Sequence, residues 1–150
     1  MVAADRDVKE LKMNDLLSIN SNITSQLTGS CLCGGVTYSI NGPVRNVVNC
    51  FCSQCRKTSG HHVAATKVDK ENLTLENEQS LKWYECLPGI HRGFCSTCGG
   101  NLFWDKGIDN QISIMAGTLD PPTHLKTVGN IFTEDASDYC EIPAVENDES

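Results

Sequence analysis

An all-β fold of short strands is what this sequence predicts, and two observations predict it. From Thr28 to Pro143 the chain breaks into short apolar runs separated by turn residues. Nowhere in that stretch is a 3.6-residue apolar period sustained over about ten positions, as a packed helix would need. "VTYSI" (36–40) alternates apolar and polar residues and stops at "NGP", a turn signal. "VRNVVN" (44–49) leads into a cysteine-rich stretch. "HVAATKV" (62–68), "LTLE" (73–76), "LKWYEC" (81–86), "HRGF" (91–94), "NLFW" (101–104) and "QISIMAG" (111–117) follow as strands. One turn of helix is expected at "SQCRKT" (53–58), and no repeat of fixed period is present. Trp83, Phe103 and Trp104 read as core aromatics.

At 150 residues the chain suits one domain, expected over 28–143. Residues 1–27 are polar with a weak helical pattern (Val8, Leu11, Leu16) and are expected to form a flexible extension. Residues 144–150 form an acidic tail. The net charge of −7, with no basic cluster, argues against nucleic acid or an anionic membrane as partner. No apolar run approaches a membrane span. The N-terminus has no apolar core followed by small residues, so no secretory signal is read there and a cytoplasmic location is expected. Thiols are kept reduced in that compartment, which weighs against disulfides among the nine cysteines.

Seven of those cysteines fall into three groups: Cys31 and Cys33 in "GSCLCGG", Cys50, Cys52 and Cys55 in "CFCSQC", Cys95 and Cys98 in "FCSTCGG". Two residues between Cys95 and Cys98 let both sulfurs turn toward one ion, and the glycines that follow allow a tight turn. One residue between Cys31 and Cys33 puts both side chains on one face of an extended strand. Structural zinc is four-coordinate, so the first and third groups together make a closed site. The middle group then has three sulfurs and no fourth, the ligand count of a catalytic zinc that keeps one position for water or substrate. Other readings of the seven are disulfides, packing as small apolar residues, or a second structural site completed by a histidine or Cys86. Cys86 and Cys140 read as packed free thiols.

"GSCLCGGVTY", "CFCSQCRKTSG", "RGFCSTCGGNLFW" and "GTLD" run in the order and spacing of the glutathione-dependent formaldehyde-activating enzyme family, which also includes centromere protein V. The chain resembles that family over about Thr28 to Ile142. The resemblance implies an Mss4-like fold of twisted antiparallel sheets held by zinc. It places a structural zinc on Cys31, Cys33, Cys95 and Cys98 and a catalytic zinc on Cys50, Cys52 and Cys55. Many members carry histidine where this chain has Phe51; Asn130 and Tyr139 also differ from common family residues.

The expected activity, by that resemblance, is a zinc-dependent carbon–sulfur lyase that forms or cleaves an adduct between glutathione, or another thiol, and a small carbonyl compound. Alternatives are a zinc lyase or dehydratase acting on a different carbonyl metabolite, and a non-catalytic zinc-stabilised binding module. Arg56 and Lys57, which follow Cys55, are candidates to offset thiolate charge or hold a carboxylate. His61 and His62 are nearest in sequence among groups that titrate near neutrality; His62 is the candidate general acid or base. No phosphate loop or nucleophile elbow is present, so no cofactor beyond two zinc ions is expected. A homodimer is compatible with the sequence, which does not demand one.

Overall fold

The computed structural model describes residues 17–19 and 24–145, and ten strands form the framework of this part of the chain. The helical pattern at Val8, Leu11 and Leu16 lies outside the described residues. Three strands form a small antiparallel sheet in the order β1-β2-β5: β1 (Thr24–Ser30), β2 (Thr37–Pro43) and β5 (Leu73–Asn77). Seven form a larger one, in the order β10-β3-β4-β9-β8-β7-β6. These are β3 (Val47–Cys50), β4 (Val63–Asp69), β6 (Leu81–Leu87), β7 (Ile90–Cys95), β8 (Asn101–Asp105), β9 (Gln111–Met115) and β10 (Thr127–Ile131). Every pairing is antiparallel apart from β10 against β3. The all-β expectation holds.

Two strands were not expected. β1 starts at Thr24, so 24–27 belong to the small sheet rather than to the extension expected to end at residue 27. β10 is a polar edge strand with Gly129 at its centre, and it carries little of the apolar signature of a strand.

The core lies between the sheets. Leu27, Tyr38 and Ile40 from the small sheet meet Val68, Leu102, Phe103, Ile112 and Ile114 from the large one. The Tyr38 and Phe103 rings pack edge to face, 5.5 Å apart. Tyr38 keeps its hydroxyl satisfied by Thr118 Oγ1 at 2.7 Å, which is how a phenol can be buried this deeply. Of the three expected core aromatics, only Phe103 is fully buried. Trp83 is 42% exposed on the edge strand and stacks on Phe103 across Gly93, where a Cβ would stand 2.9 Å from the indole. Trp104 faces the opposite side of the sheet.

β4 is the strand that joins core and site. Its alternation points Thr66 and Val68 into the buried interior and Val63, Ala65 and Lys67 to the opposite face. That second face carries a smaller apolar cluster, in which Val63 and Ala65 pack with Cys55, Cys50, Cys52 and Met115. One helix, α1 (Ser53–Ser59), lies beside it.

At Gly29 the small sheet bridges to Leu119, just after the turn that follows β9. A Cβ there would overlap the Tyr38 ring and stand 2.6 Å from the Thr118 carbonyl oxygen. Because that carbonyl is backbone, relief needs a shift of the seam itself. Gly29→Ala is therefore expected to cost about 1–3 kcal/mol, as overpacking does, read as a lowered midpoint in thermal unfolding. An unchanged midpoint would show that the seam yields freely.

Candidate metal centre

The first cysteine group forms where the two sheets are tied together. Cys31 and Cys33 sit in the turn after β1, while Cys95 ends β7 and Cys98 lies in the turn that leads to β8. Their four sulfurs lie within 4.8 Å of one another. Cys31 to Cys33 is 3.7 Å and Cys33 to Cys95 is 3.6 Å. Thiolates placed tetrahedrally at a Zn–S distance of about 2.3 Å stand about 3.8 Å apart, so the gathered sulfurs match that edge length. A disulfide would bring two of them to about 2.05 Å, and all nine cysteines are free.

Backbone amides already face these sulfurs. Val36 N–H donates to Cys31 Sγ (3.3 Å), Gly35 N–H to Cys33 Sγ (3.4 Å) and Cys98 N–H to Cys95 Sγ (3.4 Å). The Cys98 amide is the main reason the Cys95 thiol is drawn down to about 6. Gly99, at φ +77°, closes the second turn in a conformation that suits glycine.

The second group is built from one strand end and one helix start. Cys50 ends β3, opposite Val63 of β4. Cys52 is the N-cap of α1 and accepts from Cys55 N–H at 3.3 Å. Cys55 lies in the helix's first turn and is buried. Gly60, at φ +86°, ends the helix by donating to the Arg56 carbonyl at 2.9 Å. These three sulfurs also lie within 4.8 Å of one another. Among the described residues no histidine, carboxylate or further cysteine joins them.

The bond with Cys50, then Cys52 and Arg92, pulls Cys55 down to about 6 against burial, which pushes it up. Cys50 moves the other way, raised by sharing its proton with Cys55 and by burial. Either group therefore has the donor set and spacing to hold a metal ion, zinc among them.

The trio opens on a cavity of about 520 Å³. Its floor near the sulfurs is apolar: Val48, Val63, Ala65 and Met115. Farther along, a single row crosses four strands. Lys67 of β4 is opposite Ser113 of β9, Ser113 is opposite Trp104 of β8, and Trp104 is opposite Arg92 of β7. All four line the cavity. Arg92 donates through Nη2 to Gln54 Oε1 at 3.2 Å and points toward Cys55 Sγ at 3.9 Å.

The sequence candidates divide. The seven cysteines assemble into the two expected groups. Arg56 and Lys57 lie in the last turn of α1 and do not line the cavity. Arg92, distant from Cys55 in sequence, is the cation that reaches the trio. His62 also lies off the cavity wall; its ring stacks on Phe51, 4.7 Å away, and is 4.6 Å from His61. Its Nδ1 is buried without a hydrogen-bond partner, and burial, then the charge of His61, lowers its pKa. Cys86 donates to the Ile90 carbonyl at 3.4 Å, and Cys140 lies 3.9 Å from His61 Nε2.

The geometry is matched by likeness to known proteins. The profile of the glutathione-dependent formaldehyde-activating enzyme family matches residues 26–135. A Halomonas elongata protein provisionally named glutathione-dependent formaldehyde-activating enzyme is 29% identical over 136 residues, covering 81% of this chain and 84% of that protein. The crystal structure of a Rhodobacter sphaeroides protein aligns with a TM-score of 0.57 at 20% identity, over 69% of this chain and 98% of that one, a likeness of fold. The family match spans well over half of the sequence and contains all seven grouped cysteines, and the chain belongs to the glutathione-dependent formaldehyde-activating enzyme family.

Proposed function

We propose that this chain is a zinc-dependent carbon–sulfur lyase that forms or breaks an adduct between a glutathione-type thiol and a small carbonyl compound. One observation carries the reading. Three thiols stand at the wall of a cavity large enough for a small peptide, with no fourth ligand among the described residues to close the group. A purely structural zinc site has no use for an incomplete ligand set facing a cavity. The family description and the name of the Halomonas elongata relative point to the same thiol.

A zinc ion on Cys50, Cys52 and Cys55 would supply a soft docking point for one more sulfur and favour its thiolate form at neutral pH. The chain's own residues do the rest. Val48, Val63 and Met115 keep the sulfur end of the cavity apolar, which excludes water around the reacting carbon. Arg92 sets positive charge against the thiolate trio. In the forward direction the thiolate sulfur bonds to the carbonyl carbon, the C=O π pair moves to oxygen, and that oxygen takes the proton the thiol released. Cleavage runs the same steps in reverse.

His62 is our candidate carrier for that proton; because its ring stands off the cavity wall, the transfer would run through an intervening water. Its lowered pKa keeps the imidazole neutral, and so able to accept a proton, at neutral pH. We assign Cys31, Cys33, Cys95 and Cys98 to a second, structural zinc. Nine unpaired thiols suit a reducing compartment, and we place the protein in the cytoplasm.

The two groups are separated by paired variants. Cys98→Ser removes one of four sulfurs that tie the sheets and is expected to lose both its metal and most cooperative unfolding. Cys52→Ser is expected to keep the fold, because serine is itself a good N-cap for α1, while losing one metal equivalent and all activity. Metal content by mass spectrometry and thermal unfolding of the two proteins decide this; equal collapse of both would make each site structural. For the proton step, His62→Gln is expected to lower turnover about a hundredfold with thiol affinity unchanged. Unaltered turnover would remove His62 from the reaction. X-ray absorption at the metal, with and without excess glutathione, tests the thiol directly: the mean sulfur coordination should rise on addition, and a constant value counts against docking.

A further inference from the structure

The protein carries a net charge of −7, yet the cavity wall has the opposite sign. Four cations line it, Arg45, Lys67, Arg92 and Lys106, against one acid, Asp109. Arg92 is accounted for by Gln54 and the trio. Lys106 lies over the Trp104 ring, 5.9 Å from its centroid, which leaves its charge without an anion. Arg45 is 4% exposed, and its guanidinium donates to two backbone carbonyls, Ala65 at 2.8 Å and Asn46 at 3.2 Å. Among the described residues no carboxylate forms an ion pair with Arg45, Lys67 or Lys106. Burial pulls Arg45 down to about 10, and burial followed by the charge of Arg45 lowers Lys67. Among the described residues that line the cavity only Asp109 offsets these charges, so the wall keeps an excess of positive charge that suits an anion.

Their position is as informative as their charge. Val63 stands opposite Cys50 at the trio, and Lys67 is four residues farther along the same face of β4. At roughly 3.3 Å per residue the two levels are about 13 Å apart. A central thiol-bearing residue and the terminal residue beside it span on the order of 7 Å when extended, and the long side chain of Lys67 covers much of the remaining gap, so a thiol docked at the trio would bring a terminal carboxylate toward the lysines.

We propose that Arg45, Lys67 and Lys106 form a carboxylate subsite at the end of the cavity remote from the trio, which selects acidic substrates. The carboxylate belongs either to the thiol or to the carbonyl compound that joins it. This inference rests on the thiol-adduct reading of the trio, though the subsite can be measured without it.

The test uses the zinc-loaded full chain and the variants Lys106→Gln and Lys67→Gln/Lys106→Gln, with thermal unfolding as the check on fold. Lys106 is exposed, so the single variant stays informative if the double one fails to fold. Calorimetric titration compares S-methylglutathione, which has carboxylates and no free thiol, with its diethyl ester. The wild type is expected to prefer the free acid by about tenfold to a hundredfold, the range for bonds to charged groups. Lys106→Gln should reduce that preference and the double variant abolish it, leaving ester binding within about twofold. In the second arm, kcat/KM for glyoxylate is compared with that for formaldehyde. Loss of preference in the first arm assigns the carboxylate to the thiol; selective loss toward glyoxylate assigns it to the carbonyl partner. Variants that keep both preferences, or a wild type with neither, overturn the subsite. Because S-methylglutathione needs no free sulfur, failure of the thiol reading shows instead as unaltered metal–sulfur coordination on adding glutathione.

Discussion

Two sheets of unequal size close on each other because two turns more than sixty residues apart must meet. The turn after β1 belongs to the three-stranded sheet and the turn after β7 to the seven-stranded one. Four sulfurs converge where they touch, each paired sulfur 3.6–3.7 Å from its neighbour. The interface is otherwise made by apolar packing around Tyr38 and Phe103 and by the close approach at Gly29. That packing is non-directional and tolerates small rotations of one sheet against the other, whereas four sulfurs sharing one ion would not. Fixing the sheets in turn fixes the far face of the large one, where the second cysteine group sits. Each group thus has a different dependence on its surroundings. The first is made by tertiary convergence, and the second by one strand end and one short helix.

The second group shows how local structure and chemistry share residues. Cys52 ends the extended segment, caps α1 and stands in the trio; Cys55 belongs both to the first turn of the helix and to the trio. Seven residues would make a marginal helix alone. Here its buried residue is a member of the trio, and its end is fixed by Gly60. Nothing in that arrangement demands a large core of its own.

Much of this was legible in the sequence, for reasons that can be named. The other eight strands announced themselves by their apolar residues, as in the alternation of "VTYSI" and "QISIM", and the cysteine groups by spacing that suits a shared ion. β1 and β10 were hidden because each lies at a sheet edge and is polar, so neither buries a full apolar stripe. The cations around the cavity were hidden for another reason. Arg45, Lys67, Arg92 and Lys106 are scattered over some sixty positions and become neighbours only through strand order. Arg56 and Lys57 attracted notice by adjacency to Cys55, but in a helix adjacent residues point in different directions. Trp83 looked like core because it alternates, and it stacks on Phe103 from an exposed edge instead.

The row Lys67–Ser113–Trp104–Arg92 exists only because β4, β9, β8 and β7 are aligned as they are. Strand faces alternate, so sliding β9 by one residue would turn Ile112 and Ile114 outward and drive Ser113 and Met115 among the packed aromatics. What the cavity recognises is therefore written in alignment as much as in amino-acid identity. Insertions or deletions within these strands would rewrite its chemistry wholesale, while those confined to connecting loops would leave it readable.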